Sequence, residues 1–275
     1  IADAGGWEHD TLTEDMDLSY RAQLRNWRFI FLNEVETPAE LPVDMDGFKS
    51  QQHRWTKGSI QCCKKVLPAI WRSKFPLHVK LEATAHLTSN FAWLLLMVLC
   101  FLIFPNTKYQ PEMSVWVKAL IHIPIFIFAS GSVIFFYLMS QKALNPKGWW
   151  KEIIYLPCLL ALGIGMSINN ARAVMEALFN MQSGFVRTPK YGIEKRKAEK
   201  SPASRKGRYK AIRSVTPVVE FFFGVFFLFV VLDALLSGNL VSFTFLLPFP
   251  IGFFYTSVSS FVISWNAASR DRQTE

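Results

Sequence analysis

The sequence predicts a water-soluble α/β segment followed by membrane-spanning helices, on three observations. Hydrophobic residues make up 51% of the chain, above the roughly 45–50% of an average soluble domain. They cluster in five stretches nearly free of charge, and about 20 apolar residues span a bilayer. Residues 1–85 instead mix helical and alternating patterns. The composition therefore excludes an ordinary soluble protein. The apolar stretches are residues 90–104, 118–139, 153–168, 215–236 and 241–265.

Residues 1–85 contain two helical patterns with an alternating one between them. Helix-forming residues fill positions 11–26, and WRFIFLNEV at 27–35 alternates as a β-strand does. A second helix is predicted to begin near Asp44 or Asp46. Helical spacing gives that helix one broad face, formed by Phe48, Gln51, Gln52, Trp55 and Ser59.

The third apolar stretch contains residues that interrupt helices. Pro157, Gly163, Gly165 and two asparagines occur in IIYLPCLLALGIGMSINN, which predicts a broken or re-entrant segment at 151–169 with its backbone covered by protein or water. We expect four full crossings plus this segment. The alternative is five full crossings, with residues 1–85 and 170–214 on opposite sides of the membrane.

Positive charge is concentrated between the apolar stretches. Residues 170–214 hold 12 Lys or Arg and three acidic residues, so their net charge of +9 equals that of the whole chain. Basic loops face the cytoplasm and attract anionic headgroups. The loop therefore predicts membrane lipid as a partner, and we expect no nucleic-acid polymer among the partners.

The stretch TLTED at residues 11–15 has two interpretations. Thr11 followed by Glu14 matches a capping box, which would start a helix. Alternatively, Asp15 is a general base, a role that requires a carboxylate within hydrogen-bond reach of a hydroxyl. Taken alone, the motif favours the capping box.

A second motif, QQHRW, places Gln51, Arg54 and Trp55 on one helix face. A guanidinium suits phosphate oxygens, and an indole face suits the apolar face of a sugar. An Arg and a Trp beside a membrane can also be interfacial anchors. Paired with an acidic motif upstream, the combination indicates a site for an anionic sugar derivative.

The basic loop opens with a third motif, FVRTPK. Phe185, Arg187, Thr188 and Lys190 combine a hydrophobic anchor with donors suited to a diphosphate. This combination is typical of a lid over an anionic substrate. The rest of the loop is assigned to anionic lipid or to solvent.

In this order, the three motifs resemble those of the processive family-2 glycosyltransferases, which include bacterial cellulose synthase, hyaluronan synthase and the cellulose-synthase-like β-glucan and β-mannan synthases. TED at residues 13–15 and Q-x-x-R-W at residues 51–55 are signatures of that family. The resemblance implies the α+β tail of a GT-A-type α/β glycosyltransferase domain, followed by an α-helical transmembrane bundle.

The resemblance also implies roles for the motif residues. Asp15 matches the general base that deprotonates the acceptor hydroxyl, and Thr13 and Glu14 shape the site around it. The second motif matches the interfacial-helix residues that bind the nucleotide diphosphate and position the acceptor sugar, namely Gln51, Arg54 and Trp55.

In the loop, Phe185, Thr188 and Lys190 match a gating pattern F-x-V-T-x-K, with Arg187 in place of the valine. By resemblance, the reaction is an inverting transfer of hexose from UDP-glucose or GDP-mannose to a growing β-glycan. A divalent cation, Mg²⁺ or Mn²⁺, is implied as the cofactor. Since the family binds it with acidic residues upstream of TED, we expect a C-terminal fragment that is inactive alone, with no metal ligands of its own.

The resemblance implies a division of the chain and leaves other functions open. We expect a cytoplasmic catalytic tail with its interfacial helix at 1–85 and transmembrane helices at 86–169. A cytoplasmic interfacial helix and the basic gating loop are expected at 170–214, a transmembrane hairpin at 215–265 and a cytoplasmic tail at 266–275, in a bacterial inner membrane. Glu220 and Asp233 within an apolar stretch support an alternative, a non-catalytic transporter or scaffold with a lipid-binding loop. A non-processive lipid glycosyltransferase is a further alternative.

Overall fold

The computed structural model describes residues 1–32, 34–108, 131–182 and 215–272, with positions 114, 116, 117, 120 and 124 between them. Regular structure in these ranges is helical, including short 3-10 helices at Ala2–Ala4, Ser89–Phe91 and Trp149–Tyr155. The α-helices are α1 (Glu14–Leu24), α2 (Met45–Arg72), α3 (Leu77–Thr88), α4 (Ala92–Lys108), α5 (Ser132–Leu144), α6 (Leu156–Leu178), α7 (Thr216–Leu236), α8 (Leu240–Leu246) and α9 (Pro248–Arg272).

The chain divides into two compact units. The first consists of Ile1–Met97, Met166–Val219 and Ser257–Glu275, and the second of Val98–Gly165 and Glu220–Thr256.

The segment at 27–35 does not form the β-strand that its alternating pattern predicts. Residues 27–32 are neither helix nor strand, and Ile30 and Phe31 are 84% and 88% exposed. A strand is held by backbone hydrogen bonds to a neighbouring strand, and the described residues include no other strand to supply them. The strand prediction is therefore wrong, and the α/β character expected of residues 1–85 is not confirmed.

Helix α2 begins where the sequence predicts. Asp44 is its N-cap, and Asp44 Oδ1 accepts the backbone N–H of Gly47 at 2.6 Å. This bond satisfies one of the donors that the first turn of a helix leaves unpaired. The helix then runs for 28 residues to Arg72.

The hydrophobic core of the first unit forms around the second half of α2. Burying an aliphatic side chain contributes about 1.5–3 kcal/mol, so this cluster fixes α1 and α3 against α2. It contains Cys62, Cys63, Val66 and Ile70 of α2, Ala83 and Leu87 of α3, and the partly buried Met16, Tyr20 and Leu24 of α1.

The opposite face of α2 holds the C-terminal end of α6. Asn180 has φ 54°, and the N–H of Met181 donates to the carbonyl of Glu176 at 2.8 Å, which is a Schellman ending. Lys57 Nζ donates to Glu176 Oε2 at 3.0 Å and to Met181 O at 2.7 Å. Lys64 Nζ donates to the carbonyls of residues 177 and 178 at 3.1 and 3.2 Å. Two lysines of α2 therefore satisfy the acceptors at the end of α6, where cations are favoured.

Four helical stretches are long and apolar enough to cross a membrane. They are Leu77–Ile103, Trp149–Leu178, Thr216–Leu236 and Leu240–Ile263. The first begins nine residues before the boundary expected at residue 86. Half of the apolar stretch at 118–139 lies outside the described residues.

The stretch predicted to be interrupted is one continuous helix, α6, preceded by a 3-10 helix. Pro157 is the second residue of α6, where a helix does not need its backbone N–H. The Asn169 side chain donates to the carbonyl of Lys49 and to Asn170 Oδ1, both at 3.0 Å. The prediction of a broken segment is wrong because these helix-interrupting residues are accommodated by position and by packing, whereas the alternative of a re-entrant segment stays a prediction.

Within the second unit, two glycines allow α6 and α9 to pack backbone against backbone. A Cβ on Gly252 would overlap the carbonyl oxygen of Ala161, and a Cβ on Gly165 would overlap that of Gly252. Thr256 Oγ1 adds a hydrogen bond to Gly165 O at 3.4 Å. Small residues permit this approach between membrane helices.

We predict that Gly252→Ala lowers the stability of the protein in detergent by about 1–3 kcal/mol, because the added methyl group overpacks this contact. The measurement is the loss of the monodisperse chromatographic peak on heating. Gly163→Ala is the matched control, because an added Cβ there meets nothing within 4 Å. Equal melting of the two variants would contradict the prediction.

Candidate active site

A cavity of about 590 Å³ lies in the first unit, between α1, α2 and the region of α3 and its 3-10 extension. Its wall contains one carboxylate, one imidazole and otherwise uncharged side chains, and no Lys or Arg of the described residues lines it. Such a wall suits the hydroxyl groups of a neutral sugar. The lining residues are Thr13, Asp15, Met16, Ser19, Tyr20, Gln23, Gln52, Trp55, Thr56, Ser59, His86 and Asn90.

Asp15 lies in the first turn of α1 and in the wall of the cavity. It is exposed, and Asp15 Oδ1 accepts the N–H of Met16 at 2.8 Å. A carboxylate held by a helix start and facing an open cavity can meet an incoming hydroxyl.

The capping box predicted for Thr11 and Glu14 does not form. Helix α1 starts at Glu14 with Thr13 as N-cap, and no side chain in the described part of the chain caps it. Thr11 lies two residues before the N-cap, too early for a capping box, and its Oγ1 is buried without a hydrogen-bond partner among the described residues. The capping-box interpretation of Thr11 and Glu14 is therefore wrong.

Thr13 connects this acidic helix start to α2. A Cβ on Gly58 would lie 2.6 Å from Thr13 Cγ2, 2.7 Å from Thr13 Oγ1 and 2.8 Å from Thr13 N. Because Gly58 has no side chain, Thr13, the first residue of TED, can pack directly against α2. Thr13 is 6% exposed, and its Oγ1 has no hydrogen-bond partner among the described residues.

The structure brings only part of the second motif to the cavity. Trp55 lines the wall and is 49% exposed, which leaves its indole available to a ligand. Gln52 lines the wall beside it, whereas Gln51 and Arg54 lie on α2 outside the lining. Glu14 likewise lies on α1 without lining the cavity. Their roles stay predictions.

The residues of the third motif lie outside the described part of the chain. Phe185, Arg187, Thr188 and Lys190 belong to residues 183–214, which the structure does not describe. Their proposed contacts with a diphosphate stay predictions too.

Three acidic side chains of the first unit form a cluster that could suit a metal ion, since Glu8, Asp10 and Asp17 offer oxygens within 4.8 Å of one another. However, Lys65 Nζ lies 2.5, 2.8 and 3.1 Å from those three carboxylates. Arg21 adds a second cation 2.8 Å from Asp17. The ammonium group of Lys65 takes the place that a cation would need, so these residues do not fit a divalent metal.

The titration of this cluster agrees with an ion-pair network. Burial works against charge on Asp10, but the hydrogen bond from Lys65 holds the pKa of Asp10 below its usual value. Burial also opposes charge on Lys65, but the hydrogen bonds that Lys65 donates to Asp10, Glu8 and Asp17 raise the pKa of Lys65. Each group therefore keeps the other charged at neutral pH.

Some residues of the site carried no signal in the sequence. Tyr20 and His86 meet at the cavity wall although 66 positions separate them, and Tyr20 Oη lies 2.6 Å from His86 Nδ1. Asn90 Oδ1 accepts the indole N–H of Trp93 at 3.1 Å. The position of Gly58, three residues after Trp55, is a weak sequence signal for a residue near the site. Its contact with Thr13 cannot be predicted from the sequence, because it depends on how α1 packs against α2.

Residues 1–168 match the model of the family described as Glycosyl transferase family group 2, and the chain belongs to that family. The resemblance drawn from TED and Q-x-x-R-W is thereby confirmed at the level of the family.

Among curated proteins, the chain is similar to plant enzymes. It is 27% identical to "Glucomannan 4-beta-mannosyltransferase 1" of Cyamopsis tetragonoloba over 270 residues, covering 93% of this chain and 47% of that protein. It is 31% identical to the Oryza sativa subsp. japonica protein of the same name over 160 residues, or 53% of this chain and 30% of that protein.

A third relative, "Probable glucomannan 4-beta-mannosyltransferase 10" of Arabidopsis thaliana, is 34% identical over 134 residues, covering 46% of this chain and 24% of that protein. The chain thus spans about half or less of the length of these relatives. No solved structure matches the chain.

We predict that Gly58→Ala lowers the rate of glycosyl transfer at least tenfold while the protein still folds, because the added methyl group moves Thr13 and Asp15 away from α2, and small misplacements of reacting groups are costly. The rate is measured in membranes carrying the full-length protein, normalised to the folded fraction. Gly163→Ala serves as the control, and wild-type rates from Gly58→Ala would contradict the prediction.

Proposed function

We propose that this chain forms the acceptor side of a membrane-embedded glycosyltransferase that moves a hexose from a nucleotide sugar to the end of a β-glycan. The observation that carries the proposal is the meeting of Asp15 and Trp55, from α1 and α2, at one cavity of uncharged polar side chains. Family membership supports the same reaction class.

In the proposed reaction, the acceptor hydroxyl lies in the cavity with its proton directed at the carboxylate of Asp15. As Asp15 takes this proton, the hydroxyl oxygen forms a bond to the anomeric carbon of the donor. The bond between that carbon and the diphosphate oxygen breaks on the opposite face, so the configuration inverts. One hexose is added, and a nucleoside diphosphate leaves.

The departing diphosphate needs positive charge, which the cavity wall does not supply. Arg54 and Lys190 are the residues of this chain proposed to contact it, because a guanidinium and an ammonium suit phosphate oxygens. A divalent cation would add Lewis-acid stabilisation. The acidic cluster of Glu8, Asp10 and Asp17 would not hold it, since Lys65 already neutralises these carboxylates.

Trp55 is proposed to hold the acceptor. Its half-exposed indole faces the same cavity as Asp15, and an aromatic face stacks on the apolar face of a pyranose. Stacking orients the terminal sugar so that its hydroxyl meets Asp15 and not bulk water.

The relatives' names favour a β-1,4-linked mannose-containing product, with GDP-mannose as the donor to test first and UDP-glucose as the second. The apolar helices support an integral membrane protein through which the glycan is exported, with residues 1–85, the basic loop and the tail after residue 265 in the cytoplasm. These relatives are plant proteins and give no support to a bacterial inner membrane.

A transporter or scaffold is the second candidate, favoured by one observation. Glu220 of α7 is fully buried in an apolar helix, and acids in such helices often mark ion paths. Incorporation of labelled GDP-mannose or UDP-glucose into polymer separates the candidates, because a transporter incorporates neither. Product size separates a polymer synthase from a lipid glycosyltransferase.

We predict that Asp15→Asn lowers sugar transfer by about 10²–10⁴-fold and leaves folding intact, because the amide cannot accept the proton. Labelled polymer formed by membranes carrying the full-length protein is the measure. Asp46→Asn is a matched control, since Asp46 occupies the same second helical position in α2 without lining the cavity. Full activity of Asp15→Asn would contradict the assignment of Asp15 as the general base.

We predict that Trp55→Ala reduces polymer formation at least tenfold more than hydrolysis of the donor to free sugar, because it removes acceptor binding and leaves the donor in place. Released nucleotide is compared with sugar incorporated. Trp71→Ala is the control, since Trp71 is a similarly exposed indole on the same helix, outside the cavity. Parallel losses in both reactions would rule out an acceptor role.

A further inference from the structure

Tyr20 and His86 form a hydrogen-bonded pair in the wall of the cavity, and the proposed reaction does not use them. Tyr20 comes from α1 and His86 from α3, with Tyr20 Oη 2.6 Å from His86 Nδ1 and ring centroids 6.0 Å apart. Burial, together with Cys62 and Glu82 nearby, raises the pKa of Tyr20 to about 12. The phenol therefore keeps its proton at any physiological pH.

The hydrogen bond leaves the pair with one donor and one acceptor, whichever tautomer the imidazole adopts. If the phenol donates to Nδ1, the imidazole Nε2–H is a remaining donor and the phenol oxygen a remaining acceptor. If Nδ1–H donates to the phenol oxygen, the phenol O–H is the donor and Nε2 the acceptor. A sugar hydroxyl both donates and accepts, so it matches the pair in either state.

The position of the pair relative to Asp15 indicates which sugar it meets. Tyr20 follows Asp15 by five residues of α1, more than one helical turn, and both residues line the same cavity. The two side chains therefore belong to different parts of the cavity wall. With the terminal sugar at Asp15 and Trp55, the next sugar of the glycan reaches the pair.

We propose that the Tyr20–His86 pair is a specificity-determining subsite for the penultimate sugar of the acceptor glycan. This inference rests on the proposed function, and it describes how the cavity recognises an acceptor glycan of at least two sugars. The pair binds the acceptor and takes no part in proton transfer.

The test measures acceptor KM and kcat for methyl β-mannoside, β-1,4-mannobiose and β-1,4-mannotetraose, together with donor hydrolysis, in the full-length protein. Tyr20→Phe keeps the ring and removes the hydroxyl. Loss of one or two hydrogen bonds predicts a rise of about threefold to tenfold in KM for the two longer acceptors. The KM for methyl β-mannoside, the kcat values and donor hydrolysis stay within about twofold of wild type.

Substitutions at His86 provide a second readout. His86→Asn keeps an acceptor near the Nδ1 position and is expected to retain more affinity for mannotetraose than His86→Leu does. Thr84→Val is the matched structural control, since it removes the 3.0 Å bond from Trp71 Nε1 to Thr84 Oγ1, a contact of α3 outside the cavity. It should leave every acceptor KM unchanged.

Three results would overturn the inference. Equal changes for methyl β-mannoside and mannotetraose would show that the pair acts on the terminal sugar or only on structure, and so would a KM rise in Thr84→Val as large as in Tyr20→Phe. Unchanged KM values for all three acceptors in Tyr20→Phe would show that the pair is not an acceptor subsite. If the wild-type protein neither hydrolyses nor transfers from GDP-mannose or UDP-glucose, the proposed function fails, a result distinct from these.

Discussion

The direct contact between Thr13 and Gly58 sets the geometry on which the candidate site depends. Because Gly58 has no side chain, the N-terminal end of α1 rests on α2 at van der Waals distance, with Thr13 buried between them. Asp15 follows within one turn of α1, and Trp55 precedes Gly58 by about one turn of α2. One contact thus fixes the distance between a carboxylate and an indole that are distant in sequence.

Helix α2 has two faces that contact different parts of the first unit, the cavity and the C-terminal end of α6. One face carries Trp55 and Ser59 to the cavity. The other carries His53, Lys57 and Lys64, spaced at four and seven residues, to the end of α6. Lysine is rarely buried without a partner, and Lys57 is fully buried because Glu176 and a carbonyl satisfy it. A displacement of α2 would therefore disturb the cavity and the end of α6 together.

What the sequence predicted well was local, and what it missed depends on distant partners. The start of α2 at Asp44 follows from a cap within three residues. Apolar runs coincide with the four long apolar helices, although one of them, Trp149–Leu178, contains the residues from which a break was wrongly predicted. The strand at 27–35 failed because alternation does not supply the neighbouring strand that pairing needs. Asp15 and Trp55 were found by motif, but the pairing of Tyr20 with His86 requires knowing that α1 and α3 pack on the same side of α2, which no local pattern encodes.

The ammonium group of Lys65 has a consequence for how the first unit holds together. Three carboxylates converge on a cation that is part of the chain itself. A covalently tethered cation is present at a fixed effective concentration, so it cannot be diluted away or removed by a chelator. The junction between the segment before α1 and the second half of α2 is consequently independent of the divalent ions in the medium.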